Sequence, residues 1–121
     1  MPHRILIAED EAPIRELLAA VLADEGYRVA TVPDGREALA ALAAGRYDLV
    51  ISDVMMPLVG GLELAQAMRA DPTLGGIPLI LMSAAGARVV PTVPHAAYLP
   101  KPFDLEHLLA TVARVLARVV R

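Results

Sequence analysis

Four stretches of the sequence place polar or charged residues directly after a run of apolar residues. Glu9 and Asp10 follow the first run, Asp53 ends the run LVISD, Ser83 ends LILMS, and Lys101 follows AYLP. A buried charge without a partner is costly, so these groups need each other or a bound ion. Two carboxylates and a third nearby could hold a cation, while a hydroxyl and an ammonium could hold an anionic group.

The three carboxylates of Glu9, Asp10 and Asp53 would repel one another and raise each other's pKa unless a cation intervened. Mg²⁺ suits such a place, since it takes one or two carboxylates together with waters and phosphate oxygens. A metal, an ammonium and a hydroxyl around one carboxylate form a site for phosphoryl transfer. Asp53 ends a predicted central strand, and a carboxylate can accept a phosphoryl group as an aspartyl phosphate. We also expect Asp53 to be exposed at the rim of the sheet.

Lys101 is the one lysine among 11 basic residues of the chain. A codon bias toward arginine would explain the ten arginines. A lysine retained despite this bias is a candidate for chemistry that needs a compact ammonium.

Apolar runs alternate with helical spacing of apolar residues along the chain. Asp34 with Glu37, and Asp104, predict helix N-caps, and Gly26 predicts a helix end. The predicted strands are 5–8, 27–32, 47–53, 77–83 and 97–100, and the predicted helices follow at 14–25, 36–44, 61–70 and 105–121. The segment between the fourth and fifth strands contains Gly86, Pro91 and Pro94, which leave room for only a short or missing helix.

Continuous apolar strands that alternate with helices predict a parallel sheet covered on both faces, hence an α/β fold. In such a sheet, ligands bind beyond the carboxyl ends of the strands. The polar residues named above all fall at that edge.

The bulk composition sets limits on function. With 121 residues the chain is expected to be one domain, 1–121, and its 56% hydrophobic residues favour a folded core. The net charge is −3 and no basic cluster occurs, so direct nucleic-acid binding is not expected. The absence of cysteine fits a reducing compartment, and no apolar run reaches the ~18 residues of a membrane span, so we expect a cytoplasmic protein.

The acidic pair Glu9-Asp10, the stretch SDVMMPLVGGLEL, the tripeptide MSA and the stretch AYLPKPF occur in this order. Together they resemble the receiver domain of two-component response regulators, from Arg4 to the last helix. The resemblance implies a flavodoxin-like (CheY-like) three-layer α/β/α sandwich with a five-stranded parallel sheet in the order 2-1-3-4-5. It also implies a cis peptide bond between Lys101 and Pro102.

The resemblance implies a role for each matched residue. Asp53 corresponds to the phosphoacceptor, and Asp10 to the direct Mg²⁺ ligand, with Glu9 assisting through water. Met55 corresponds to the position whose backbone carbonyl completes the metal shell. The remaining matched positions are those of the hydroxyl that turns toward the phosphoryl group, the switch aromatic, and the lysine that pairs with the phosphoryl group: Ser83, Tyr98 and Lys101.

Two places depart from the family. Val59 and Gly60 stand where a methionine and an aspartate are usual, and Gly60 is expected to make that loop more permissive. Ser83 and Lys101 are 18 residues apart, roughly one helical turn (~4 residues) fewer than usual. The shortened fourth helix puts the usual output surface and the usual homodimer in question.

The resemblance favours a switch in which Asp53 receives a phosphoryl group, with Mg²⁺, from a sensor histidine kinase or a histidine phosphotransfer protein. Because the last helix reaches Arg121, we expect no output domain and a signal passed to a downstream protein. One alternative is a degenerate receiver that docks independently of phosphorylation. A phosphohydrolase would need a second acid at the position of Met55, and flavodoxin-like cofactor binding would place a phosphate against Glu9, Asp10 and Glu11, so both rank lower.

Overall fold

The computed structural model describes residues 2–84 and 96–118. The sequence folds into strands and helices that alternate along the chain. In chain order they are β1 (Arg4–Ala8), α1 (Ala12–Asp24), β2 (Arg28–Val32), α2 (Gly35–Ala44), β3 (Leu49–Asp53), α3 (Gly61–Ala70), β4 (Leu79–Ser83), β5 (Ala97–Pro100) and α4 (Leu105–Leu116).

The five strands form one parallel sheet in the order β2-β1-β3-β4-β5. The predicted strand order is therefore confirmed. The register pairs Ala8 with Ser52 and Asp53 with Met82. The carboxyl ends of β1, β3 and β4 consequently reach the same edge, which carries the polar residues singled out from the sequence.

Alternate residues of each central strand pack into two separate cores, as the pleat requires. Leu6, Val50 and Leu81 pack with α2 and α3 on one face. Ile7 and Ile51 pack with α1 and α4 on the other face. This is the predicted three-layer α/β/α sandwich.

The predicted helix ends are confirmed where the structure describes them. The Asp34 side chain accepts a hydrogen bond from the Glu37 N–H at 2.8 Å, and the Asp104 side chain accepts one from the Glu106 N–H at 2.8 Å. Gly26 has φ +95°, the left-handed conformation that glycine adopts most easily. The Lys101–Pro102 peptide bond is cis, as the resemblance implied.

Three strands begin one or two residues later than the sequence pattern predicted. Asp48 precedes β3 because its carboxylate accepts the Arg4 N–H at 2.8 Å. Pro78 lacks the N–H that a ladder needs, so β4 begins at Leu79. Leu105 shares the helical spacing of the apolar residues of α4, but it is 37% exposed at the first position of that helix.

The predicted shortening of the fourth helix falls on residues 85–95, and Val119 of the predicted last helix face also falls outside the described residues. Both stay predictions. Among residues 2–84 and 96–118, no helix has the length and apolar character needed to cross a membrane.

Candidate functional site

The carboxyl edge of the sheet brings a lysine into contact with two carboxylates. Lys101 Nζ donates to Glu9 Oε1 at 2.7 Å and to Asp53 Oδ2 at 3.0 Å. The three residues lie at the ends of β1, β3 and β5, and their side chains are mostly buried, with side-chain exposures of 0% for Glu9, 8% for Asp53 and 12% for Lys101. The lysine that stood alone in the sequence therefore bridges two of the predicted site residues.

Glu9 makes four hydrogen bonds, two through its backbone and two through its carboxylate. Its N–H donates to the Val32 carbonyl at 3.1 Å, and its own carbonyl accepts from Arg15 Nη1 at 2.8 Å. Its carboxylate accepts from Lys101 at Oε1 and from the Glu11 N–H at Oε2, the latter at 3.1 Å. Both carboxylate oxygens are thus already used, which suits an indirect rather than a direct contact with a metal.

Burial and the contacts of Lys101 shift the pKa values of Glu9 and Lys101 upward for different reasons. Burial is the largest influence on Glu9 and raises the pKa of its carboxyl, with help from the charge of Asp53, although hydrogen bonds from Lys101 and Glu11 oppose it. Burial also acts to lower the pKa of Lys101, but its hydrogen bonds to Glu9 and Asp53 outweigh burial, so the pKa of Lys101 is raised. The lysine therefore stays charged between the two carboxylates.

Asp10 completes an acidic cluster with Glu9 and Asp53. One carboxylate oxygen from each residue lies within 4.8 Å of the others, and Asp10 is exposed while the other two are buried. Two ligands on opposite sides of a Mg²⁺ ion lie about 4.2 Å apart, since each bond is about 2.1 Å. An all-oxygen cluster of this size fits a hard divalent cation.

Asp53 is 6% exposed, so the expectation that it would be exposed at the rim is wrong. Groups from two sides contact its carboxylate, since Lys101 Nζ donates to Oδ2 at 3.0 Å and the Met55 N–H donates to Oδ1 at 3.4 Å. A cleft of about 380 Å³ still reaches the carboxylate, and its walls include Glu11, Met55, Ala84 and Lys101. A small anionic group can reach Asp53 through this cleft.

Ser83 and Tyr98 lie at the same edge and are joined through the backbone. The Tyr98 hydroxyl donates to the Ser83 carbonyl at 3.0 Å, and the Lys101 N–H donates to the same carbonyl at 2.9 Å. Ser83 is 1% exposed, and the half-buried ring of Tyr98 packs on the core formed with α2 and α3. Ser83 thereby connects the aromatic residue to the lysine.

Two features of the site were missed from the sequence. Arg15 lies on α1, six residues after Glu9, and its contact with the Glu9 carbonyl has no sequence signal beyond an arginine one turn into the helix. The second feature is the loop 54–60, in which Leu58 has φ +69° and is 68% exposed. A bulky residue rarely adopts a positive φ. A glycine or asparagine at position 58 would have allowed the sequence to predict this conformation.

Gly60 does not play the permissive role expected of it. Its φ of −84° and ψ of 177° are open to any residue, and it is buried. A Cβ at Gly60 would lie 2.8 Å from the Val54 carbonyl oxygen, so the position needs glycine for space. Its N–H donates to Glu63 Oε1 at 3.1 Å, which fixes the start of α3.

The family model described as the response regulator receiver domain matches residues 5–113. The chain is 42% identical over 122 residues to the response regulator MprA of Mycolicibacterium vanbaalenii, covering 98% of this chain and 52% of that protein. It is 38% identical over 125 residues to the DNA-binding response regulator MtrA of Mycobacterium leprae, covering 100% of this chain and 53% of that protein. The chain therefore spans about half the length of these curated relatives.

A solved structure gives the same result for the fold. The response regulator TrrA of Thermotoga maritima, in complex with Mg²⁺ and BeF, matches with a TM-score of 0.82 and 35% identity, covering 95% of this chain and 99% of that one. Together with the parallel sheet and the acidic edge, these matches show that the chain belongs to the response regulator receiver domain family of two-component systems.

Proposed function

We propose that this receiver domain is a phosphorylation switch in which Asp53 accepts a phosphoryl group from a phosphohistidine. The P–N bond of the donor breaks as a P–O bond to the Asp53 carboxylate forms, and the donor imidazole leaves. The observation that carries the proposal is the contact of Lys101 Nζ with both Glu9 and Asp53 at the carboxyl edge of the sheet. A buried carboxylate beside an ammonium and an acidic cluster matches what phosphoryl transfer needs.

Mg²⁺ would neutralise charge on the transferring oxygens when bound. Asp10 and Asp53 would hold it directly, Glu9 through water, and the backbone carbonyl of Met55 would complete the protein ligands. Asp10 suits a direct contact because it is exposed and within reach of Asp53. Glu9 suits an indirect one because Lys101 and Glu11 already occupy its two oxygens.

The remaining residues would read the phosphoryl group. Lys101, already aimed at Asp53, would pair with one of the new oxygens, and Ser83 would donate its hydroxyl to another. Tyr98 would respond because its hydroxyl bond ends on the Ser83 carbonyl. Such differential contacts would shift a two-state equilibrium.

The donor would be a sensor histidine kinase or a histidine phosphotransfer protein, and the signal would pass by contact with a downstream protein in the cytoplasm. An apolar cleft of about 350 Å³ supports approach of the donor beside Lys101, since its walls include Ile14, Leu17, Phe103 and Leu105. We expect no direct contact between this domain and nucleic acid, whereas the name of the relative MtrA assigns DNA binding to that longer protein. We also propose that the chain is not a hydrolase, since Met55 stands where a second acid would be needed.

Amide NMR with Mg²⁺ and beryllofluoride tests the switch. Beryllofluoride imitates a phosphoryl group on a carboxylate, so wild-type signals near Asp53, Ser83 and Lys101 should shift. The Asp53→Asn variant should bind no beryllofluoride and show none of these shifts. A wild type that does not respond contradicts the switch and favours the phosphorylation-independent docking module.

The same spectra test the output residue separately. Shifts that extend to Tyr98 are expected for the proposed coupling through the Ser83 carbonyl. Shifts that stop at Ser83 would leave phosphorylation intact and contradict the role of Tyr98.

A further inference from the structure

We propose that Gly35, at the start of α2, is a positioning residue for the phosphoryl site, acting through Val59 on the loop after β3. The proposal rests on the function proposed above, because that loop carries Met55 next to Asp53. Gly35 itself is not among the residues that line the cleft at Asp53. Its influence would therefore be indirect.

The contact between Gly35 and the loop is unusually close. The Gly35 N–H donates to the Val59 carbonyl at 2.9 Å. A Cβ at Gly35 would clash with that carbonyl oxygen, and it would lie 2.7 Å from Val59 Cγ1 and 2.9 Å from Val59 Cβ. Because real Cβ atoms do not approach so closely, any side chain at position 35 would push Val59 away.

The far end of the same loop is packed just as closely. A Cβ at Gly61 would clash with the Asp53 carbonyl oxygen and lie 2.9 Å from Val54 Cα, while the Gly61 N–H donates to the Val54 carbonyl at 3.0 Å. The backbone that carries Met55 therefore runs between two glycine contacts, one on α3 and one on α2. Because close contacts fix both ends of this backbone, we expect a displacement of Val59 to move the residues between it and Met55 as well.

Leu58 provides independent support that the loop conformation is imposed. Its φ of +69° is unfavourable for leucine, and its side chain is 68% exposed and gains little from burial. Such a conformation persists when surrounding contacts determine it. The contact between Val59 and Gly35 is directly next to Leu58 in the chain and is one that can impose this conformation.

Gly35→Ala tests the proposal, and Gly45→Ala is its matched control. Gly45 lies at the other end of α2, has an extended backbone with φ −149°, and a Cβ there would meet its nearest atoms at 3.7 Å. The measurement is the apparent dissociation constant for beryllofluoride at a Mg²⁺ concentration well below saturation, followed by amide NMR of the full chain at a temperature where each variant is folded. We expect Gly45→Ala to match wild type and Gly35→Ala to bind about ten- to a hundredfold more weakly, the range for residues that orient metal ligands.

A purely structural role would lower the unfolding temperature of Gly35→Ala without changing this dissociation constant. Wild-type affinity in folded Gly35→Ala, or an equal loss in both variants, would overturn the proposal and leave the proposed function standing. Wild type that binds no beryllofluoride would overturn the proposed function, and this inference with it.

Wild-type protein gives a second measurement that does not depend on the variant folding. The Gly35 amide should shift when beryllofluoride and Mg²⁺ bind, because its hydrogen bond ends on Val59, whereas the Gly45 amide should not. An unmoved Gly35 amide in a protein that does bind beryllofluoride would overturn the proposal. Replacing Val59 by glycine in the Gly35→Ala background removes two of the three close contacts and should recover part of the affinity.

Discussion

Two loops meet at Asp53, and they are held in place by different forces. The acidic turn after β1 is held by charge and hydrogen bonds, since the backbone and carboxylate of Glu9 contact Lys101, Arg15 and two backbone groups. The loop after β3 is held by backbone hydrogen bonds and by close packing, since glycines on α2 and α3 donate to its carbonyls and pack directly on its backbone. Its large side chains, Met55 and Leu58, are 67% and 68% exposed.

The contacts that hold each loop indicate which kind of substitution should destabilise it. The acidic turn should respond to changes in charge, such as a cation or a phosphoryl group that competes for Lys101. The loop after β3 should respond to changes in volume, since interiors tolerate added atoms poorly. The two loops could therefore report on the same site through independent changes.

Removing the charge of Lys101 should produce the largest effect. In Lys101→Met, buried Glu9 and Asp53 lose their common partner, and breaking such a pair is expected to cost about 3 kcal/mol of unfolding free energy. Urea denaturation at neutral pH measures the loss. Adding Glu9→Gln to Lys101→Met should recover part of the loss, because one of the two uncompensated buried charges is then gone.

The contribution of Lys101 to the free energy of unfolding should depend on pH. The folded pKa of Lys101 is raised above its unfolded value, so its stabilising contribution is complete below the unfolded pKa and is lost as pH rises through the folded pKa. The difference between wild type and Lys101→Met should therefore narrow as pH rises through the folded pKa of Lys101. It should also narrow in acid, where the Glu9 carboxyl, whose pKa burial raises, is protonated and no longer needs the ammonium. A loss much below 1 kcal/mol at neutral pH would mean that charge does not hold the acidic turn.

Adding one methyl group at Gly61 tests the other loop. Gly61→Ala forces a Cβ against the backbone of Asp53 and Val54, and overpacking of this kind should cost about 2 kcal/mol. Gly76→Ala is the matched control and should change stability little, because no atom lies within 4 Å of a Cβ there. The loss of unfolding free energy in Gly61→Ala should not depend on salt. Equal losses in Gly61→Ala and Gly76→Ala would contradict the view that close packing holds the loop.

Much of the arrangement could be predicted from the sequence because it depends on local pattern. Runs of apolar residues predicted the strands, and the polar residue at the end of each run predicted the edge where Asp53, Ser83 and Lys101 lie. The strand order and the cis bond at Lys101 came from the resemblance to the family rather than from the pattern. The structure bears out both.

The forces that hold the site could not be predicted in the same way. The contact of Lys101 with Glu9 joins residues 92 positions apart, and the contact of Gly35 with Val59 depends on how α2 lies beside the loop after β3. The burial of Asp53 was missed because it depends on contacts that the fold brings together, such as the one with Lys101, 48 positions away. Such contacts follow from the fold, and no spacing of residues along the chain indicates them.

Arg15 should have a smaller effect than Lys101, because it is half-buried and makes one described hydrogen bond, to the Glu9 carbonyl. Arg15→Met should lower the unfolding free energy by about 1 kcal/mol, the usual net contribution of one hydrogen bond. Arg36→Met, on the exposed surface of α2, removes the same charge and serves as the control. If both variants lose the same stability, the contact with Glu9 contributes nothing specific.

Leu58 should show the smallest effect, and of opposite sign. Leucine at φ +69° is strained by about 1 kcal/mol or more, whereas glycine adopts this conformation freely at an entropic cost of about 0.5–1 kcal/mol. Leu58→Gly should therefore stabilise the protein by about 0.5 kcal/mol in urea denaturation. Met55→Gly, equally exposed but without a positive φ, should destabilise it, because only the entropic cost remains. If Leu58→Gly destabilises the protein as much as Met55→Gly does, Leu58 is not strained. The glycine contacts would then not be forcing the loop after β3 into a conformation that is unfavourable for leucine.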